Sequence, residues 1–285
     1  MNILSIQSHV SVGHVGNSAS VFPLQLLGHE VWSVNTSQLS NHTGHKTVAG
    51  KHVAAAQIEE LILGIEDLGV FPNCDAIISG YVYDSKTVEV ISDTVDRIKR
   101  ANPLAIYLCD PVMGDDRKGL YVPDAVAEAI MTLLVQKSDI LTPNRFELSQ
   151  LCDEHIHSVD QAAQALQKLT DQGPDMAICT SLTAPSSPLV STLGKDRTHI
   201  WIIETPRLNI ETNGAGDCLA AIFLGHLMTE HSFSRSLSLA VSAIHGILSN
   251  MTPAASDIPL IAAQKSIINP SKIFPACRIE PGTHK

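Results

Sequence analysis

The chain lacks a basic surplus, closely paired cysteines and any apolar run long enough to span a membrane. Lys and Arg number 19 against 29 Asp and Glu, a net charge of −10. That balance argues against a nucleic-acid surface. It leaves room for an anionic ligand, because local backbone dipoles hold phosphates even in acidic proteins. The longest apolar stretches fall far short of the roughly 20 residues a spanning helix needs. The opening Met1-Asn2-Ile3-Leu4-Ser5-Ile6 reads as a strand and lacks the basic start of a signal peptide, so a cytoplasmic location is expected. The six cysteines (Cys74, Cys109, Cys152, Cys179, Cys218, Cys277) contain no C-x-x-C pair. Their scatter excludes a disulfide framework and predicts buried free thiols in a reducing compartment.

Other chemistries are missing as well. A phosphate-binding P-loop needs a fixed glycine spacing and Ser or Thr after its lysine. Here Gly44 lies six positions before Gly50, and His52 follows Lys51. The 13 histidines include no helix-borne H-x-x-x-H pair with a flanking acid, so they read as scattered surface or pocket residues. Gly214-Ala215-Gly216 with Ala220 superficially matches a dinucleotide loop, but Asp217 would then face a pyrophosphate.

What the chain does have is a 44% hydrophobic content over 285 residues, enough for a sizeable core. Short apolar runs (2–7, 30–35, 75–79, 104–109, 139–141, 176–180) alternate with helical periodicity (17–27, 55–68, 84–101, 124–135, 158–171). After these, 189–193 and 199–204 read as an antiparallel pair around a polar turn. Helices follow over 217–229 and 233–251, with a short one after Ser256 and an irregular Pro-rich end. This alternation predicts an α/β fold: a mostly parallel central sheet with helices on both faces. No internal repeat or linker interrupts it, so residues 1–285 are expected to form one domain. Ligands in such folds sit at the carboxyl ends of the strands. Ser8-His9, Tyr81, Asp110, Thr142 to Glu147 and Thr180-Ser181 all fall at such ends.

The segment richest in chemistry is Asn213-Gly214-Ala215-Gly216-Asp217, which runs directly into the apolar Cys218-Leu219-Ala220-Ala221-Ile222-Phe223-Leu224. A small-residue turn at a helix start presents free N–H groups to an anion, and the helix dipole adds to the attraction. A carboxylate there would repel a passively bound phosphate. As a base beside a transferring phosphoryl group it has a role, which points to a small-molecule kinase; a plain acidic helix start after a glycine turn accounts for the same residues. Asp110 closes a buried strand before Pro111-Val112-Met113-Gly114. It suits either a turn-initiating Asp or a group holding Mg²⁺. In Asn144-Arg145-Phe146-Glu147, Asn144 is placed to cap a helix. Glu147 then either completes the cap or acts on magnesium through water. In Gly13-His14-Val15-Gly16-Asn17-Ser18-Ala19 the glycines would admit a substrate, and Asn17 or Ser18 would cap the next helix.

These motifs, in this order, resemble the ribokinase superfamily and, within it, the pyridoxal kinases. The matching pieces are Ser5-Ile6-Gln7-Ser8-His9-Val10, the Gly13-to-Ala19 loop, Ser40-Asn41-His42-Thr43, Ser79-Gly80-Tyr81 and Cys109-Asp110-Pro111-Val112-Met113-Gly114. Thr142-Pro143-Asn144-Arg145-Phe146-Glu147 and Gly214-Ala215-Gly216-Asp217 complete the set. The resemblance implies a ribokinase-like three-layer sandwich and transfer of the ATP γ-phosphoryl group to the 5′-hydroxymethyl of pyridoxal. It implies Asp217 as general base and the amides of Gly214, Ala215 and Gly216 as anion hole. Ser8, Thr43, Gly44, Tyr81 and Asp217 would contact the vitamer. Asp110, Thr142, Glu147 and Thr180 would lie on the nucleotide side, with Asp110 and Glu147 handling Mg²⁺. A monovalent cation, a homodimer and a lid over 115–122 are further implications.

The chain departs from the family pattern at three places. Ala215 stands where many pyridoxal kinases have Thr or Val, Asn213 where many superfamily members have Thr, and Thr180 where one branch has lysine. Competing readings are a related kinase for hydroxymethylpyrimidine or a sugar, a vitamer-binding protein without turnover, and a nucleotide-dependent oxidoreductase. Intact Asp217 and Asp110 argue against the binding protein, and Asp217 argues against the oxidoreductase. Thr43 and Tyr81 favour a pyridine ring over a sugar.

Overall fold

In the computed structural model, residues 1–183, 187–252 and 255–280 are described. The chain begins with β1 (Asn2–Val10), α1 (Asn17–Leu26), β2 (Glu30–Leu39), β3 (Gly50–His52) and α2 (Ala55–Asp67). It continues with β4 (Ala76–Ser79), α3 (Ser85–Ala101), β5 (Ile106–Cys109), a small hairpin of β6 (Gly114–Asp115) and β7 (Gly119–Leu120), and α4 (Asp124–Ala129). Next come β8 (Ile140–Leu141), α5 (Arg145–Cys152), α6 (Val159–Thr170), β9 (Met176–Leu182), β10 (Leu189–Lys195) and β11 (Ile200–Pro206). The final elements are α7 (Ala215–Glu230), α8 (Phe233–Leu248), α9 (Lys265–Ile268) and β12 (Cys277–Ile279).

One sheet runs in the order β12-β11-β10-β9-β8-β5-β4-β1-β2-β3. Its middle, from β9 to β2, is parallel throughout. Strands buried on both faces are near-continuously apolar, as β1 is. Alternation still assigns each side chain to a face. Leu4 and Ile6 join the core under α2, α3 and α6, whereas Ile3 joins the core under α1, α7 and α8. These two cores flank the sheet and make the three layers. Helix α7 is buried on nearly every side, which explains its all-round apolar sequence. It packs between the sheet, α1 and α8, so its N-terminus is fixed at the carboxyl edge of the strands.

The parallel centre, the helices on both faces and the antiparallel β10–β11 pair match the sequence expectation. Five of the cysteines are buried free thiols, and Cys277 is exposed. Among the described residues no helix is long and apolar enough to cross a membrane.

Four local readings change. Neither Asn17 nor Ser18 caps α1, whose N-cap is Gly16. Asn17 instead turns into a buried network, accepting from Ser5 Oγ (2.7 Å) and donating to Val34 O and Asn35 Oδ1. Ser18 Oγ bonds back to Val10. The helix over 124–135 is regular only to Ala129 and then widens into a π-turn, Ile130–Leu134. The short helix after Ser256 starts later, at Lys265, behind a run of turns. The Pro-rich end contributes a strand: β12 pairs with β11 and covers its open edge.

Candidate active site

Two helix starts face one another at the carboxyl edge of the sheet. Gly214 is the N-cap of α7, with φ 84°, and Gly16 is the N-cap of α1, with φ 53°. Both positions demand glycine. A Cβ on Gly214 would lie 1.8 Å from His14 O, and one on Gly16 would lie 2.2 Å from Ser8 O. Gly214→Ala is therefore expected to cost about 1–3 kcal/mol of stability and most of the turnover. Thermal unfolding and kcat together check this; an unshifted melting temperature would count against the close packing.

Asp217 lies in the first turn of α7 and is half-buried. Burial raises its carboxyl pKa above the usual range, and the backbone N–H groups of Gly16 and Asp217 itself pull it partly back. A carboxylate made more basic, yet held by main-chain donors, is suited to receive a proton.

Asp110 follows directly on the end of β5 and is 6% exposed. Its pKa is pushed well up, first by burial, then by the charges of Glu147 and Asp217. The Thr142 hydroxyl, buried beside it, makes no well-aligned hydrogen bond but offsets part of the rise. Glu147 is also buried, and its pKa is raised by burial and by Asp217 despite three backbone donors. Its Oε1 accepts from Met113 N (2.8 Å) and Gly114 N (3.4 Å), and its Oε2 from Asn144 N (2.9 Å). Asn144 Oδ1 accepts in return from Glu147 N, so the capping box is complete. The turn after Asp110 passes through a strained residue, Val112 at φ 41°, and is held on Glu147 by the N–H groups of Met113 and Gly114. Glu147 thus shapes the Asp110 turn and adds negative field.

Asp110, Glu147 and Asp217 sense one another electrostatically, but they do not form a close three-ligand set for one bare ion. Among the described residues such a set occurs only at His42, His45 and Asp257.

The remaining expected residues fall into two groups around this centre. Thr180 lines a cavity of about 330 Å³ together with Ala215, Gly216 and Leu219. Thr142 lies on the Asp110 side, and Asn144 is bridged to Thr180. On the other side, Ser8 is buried where the β1–β2 register slips, against Gly16. Tyr81 is half-buried, with its ring 6.5 Å from that of Tyr121. Thr43 and Gly44 sit on an exposed loop whose Gly44 packs against the Asn213 side chain.

Two contributors fall in the 115–122 segment, whose individual residues the sequence left without roles. Tyr121 follows β7, and its phenol pKa is raised by burial and by the charges of Glu147, Asp217 and Asp110. The residue keeps part of its surface open to solvent. The β6–β7 hairpin itself reaches across to the segment before Asn213 through Arg117–Glu211 (3.0 Å). In the sequence this segment stood out as short and charged, and only the family resemblance marked it as a lid.

A carboxylate-bearing helix start at the carboxyl edge of a parallel sheet, beside a buried acidic pair, places the chain among the ribokinase-like small-molecule kinases. The comparisons narrow that class. The family model for phosphomethylpyrimidine kinase matches residues 24–259. A pyridoxal kinase PdxY of Rubrobacter xylanophilus is 42% identical, with 98% of each chain covered. That of Vibrio parahaemolyticus is 38% identical, again over 98% of each chain. The pyridoxal kinase of Leishmania donovani, solved with ADP and pyridoxamine, superposes with a TM-score of 0.90 at 26% identity, covering 98% of this chain and 99% of that one. The Entamoeba histolytica pyridoxal kinase gives 0.91 at 27% identity with the same coverage. The chain belongs to the pyridoxal kinase family.

Proposed function

We propose that this chain transfers the γ-phosphoryl group of ATP to the 5′-hydroxymethyl group of pyridoxal, giving pyridoxal 5′-phosphate in vitamin B6 salvage. Pyridoxine and pyridoxamine are further acceptors for the same site. The observation that carries the reading is Asp217: a carboxylate of raised pKa, held among main-chain donors and facing Asp110 and Glu147. Its carboxylate takes the hydroxyl proton as the alkoxide oxygen bonds to the γ-phosphorus. The bond from that phosphorus to the β,γ-bridging oxygen breaks, and ADP leaves. The amides of Gly214, Ala215 and Gly216 receive the charge on the migrating group. Ser8, Thr43, Gly44 and Tyr81 hold the vitamer ring on one side. Thr142 and Thr180 hold the nucleotide on the other, with the base over the apolar cavity beside Leu219.

The donor chemistry suits Mg²⁺. Asp110 is a buried carboxylate whose charged neighbours among the described residues, Glu147 and Asp217, are both acidic, the kind of group a divalent ion stabilises. Asp110 would hold the ion, and Glu147, with both oxygens taken by backbone donors, would act through water. When bound, the ion neutralises charge on the phosphates. A monovalent cation, a homodimer, a cytoplasmic location and a single kinase domain over 1–285 belong to the same reading, on the family resemblance.

A second acceptor, hydroxymethylpyrimidine, is favoured by the phosphomethylpyrimidine kinase match. Measuring ATP consumption with pyridoxal, pyridoxine, pyridoxamine and hydroxymethylpyrimidine side by side tests both. Pyridoxal is expected to give the highest kcat/KM. Turnover with the pyrimidine alone would replace the first reading by the second.

A further inference from the structure

Four segments far apart in sequence meet beside the active site: the Gly13 loop, the 42–45 loop, the approach to Gly214 and the stretch 256–258. Asp257 is at their junction. Its Oδ1 lies 3.1 Å from His42 Nε2, and its Oδ2 lies 3.1 Å from His45 Nε2. Ser256 Oγ donates to Oδ2 at 3.1 Å. The backbone of Asp257 pairs with Asn213, directly before Gly214. His14 Nδ1 contacts Ile258 O at 3.0 Å. Gly13 fits so closely over the carboxylate that a Cβ there would fall 2.0 Å from Oδ1.

Three ligand-type atoms within 4.8 Å of one another would ordinarily suggest a metal. The tautomer of His42 argues otherwise. Its Nδ1 accepts from the backbone N–H of Gly44 at 3.0 Å, so a neutral ring carries its proton on Nε2, the atom facing Asp257. A metal-bound histidine has the reverse arrangement, with its second nitrogen protonated and donating outward. Burial lowers the His42 pKa, with His45 and Lys118 adding to the fall and Asp257 opposing it. The His42–Asp257 contact is off-axis, so neither atom has a well-formed hydrogen bond here.

We propose that Asp257 is a positioning residue that clamps the loop carrying Thr43 and Gly44 to the turn carrying Gly214. One oxygen faces His42 across 3.1 Å, the other is hydrogen-bonded with His45, and the backbone pairs with Asn213. The carboxylate thereby sets the span between the vitamer side of the site and the phosphoryl side. This rests on the pyridoxal kinase reading, because it takes Thr43 and Gly44 as contacts to the vitamer.

Steady-state kinetics of the full chain test it, with Asp257→Ala removing both arms and Asp257→Asn keeping size and one acceptor. The KM for pyridoxal is expected to rise about tenfold in Asp257→Ala and about threefold in Asp257→Asn, with the KM for ATP within about twofold. Calorimetric titration of pyridoxal into the folded variants should show the same order of weakening. A merely structural role would lower the melting temperature and the active fraction while leaving both KM values alone, and that result overturns the clamp. So does inhibition by micromolar Zn²⁺ that disappears in Asp257→Ala, which makes the trio a metal site. Wild-type protein inactive on pyridoxal defeats the kinase reading and the clamp with it. Active wild type with unchanged variants defeats the clamp alone.

Discussion

Asp217→Asn is expected to lower kcat at least ~10²-fold while ATP still binds with near-native affinity. Asparagine preserves the size of the side chain and can still accept from the Gly16 and Asp217 amides, so the two helix starts keep their packing. What it loses is the ability to take a proton. A positioned base supplies ~10²–10⁴-fold, and no other described carboxylate is placed in the first turn of α7. Asp110 and Glu147 lie on the opposite side of the centre. The KM for pyridoxal should change little, because the vitamer ring contacts remain. Steady-state kinetics with a direct ATP-binding measurement checks both halves. Unchanged turnover would remove Asp217 from the mechanism.

Asp110→Asn is expected to make the protein more stable and nearly inactive. Folding raises the Asp110 pKa through burial and through Glu147 and Asp217. A carboxyl group with a raised folded pKa contributes its stability below the unfolded pKa and loses it as pH rises through the folded value. At neutral pH the wild-type side chain is therefore a strain on the fold. The neutral isostere removes it, for a gain of about 1 kcal/mol, read as a melting temperature ~2–4 °C higher in EDTA. Turnover should fall ~10²-fold or more, since the group proposed to hold Mg²⁺ is gone. Saturating Mg²⁺ should then raise the melting temperature of wild type more than that of the variant. A variant both less stable and equally responsive to Mg²⁺ would show that Asp110 is a structural turn residue.

The parts of this architecture readable from sequence are those written in local spacing. Apolar runs of three to six residues alternating with 3.6-residue periodicity announced the parallel centre. Asn144 followed three residues later by Glu147 announced a capping box, and the structure closes it from both sides. Ser158 with Gln161 carried the same pattern but is only half realised: Ser158 Oγ takes Gln161 N, while the Gln161 side chain bonds His157 N. The spacing allows either outcome, and the backbone preceding the helix decides. Gly214-Ala215-Gly216-Asp217 was legible as a glycine-turned helix start with an acid in its first turn, and the structure shows that.

What stayed hidden depends on separation along the chain. Asn17 was a plausible cap until Val34 and Asn35 gave it buried partners. Strand β12 contains too few residues to show a pattern and exists because β11 has an edge to cover. Tyr121 joins the acidic centre only once the β6–β7 hairpin folds over it. The His42–Asp257 contact spans most of the chain, and nothing in either neighbourhood signals the other.

The account depends on direct transfer, with Asp217 as proton acceptor rather than as phosphoryl carrier. The most direct measurement is a single turnover with excess enzyme, pyridoxal, Mg²⁺ and ATP labelled at the γ-phosphate. Label is expected to pass straight into pyridoxal 5′-phosphate, with none retained on the protein, and to do so far more slowly in Asp217→Asn at full ATP occupancy. Label on the polypeptide, label released only as free phosphate, or equal rates in the two proteins would contradict it.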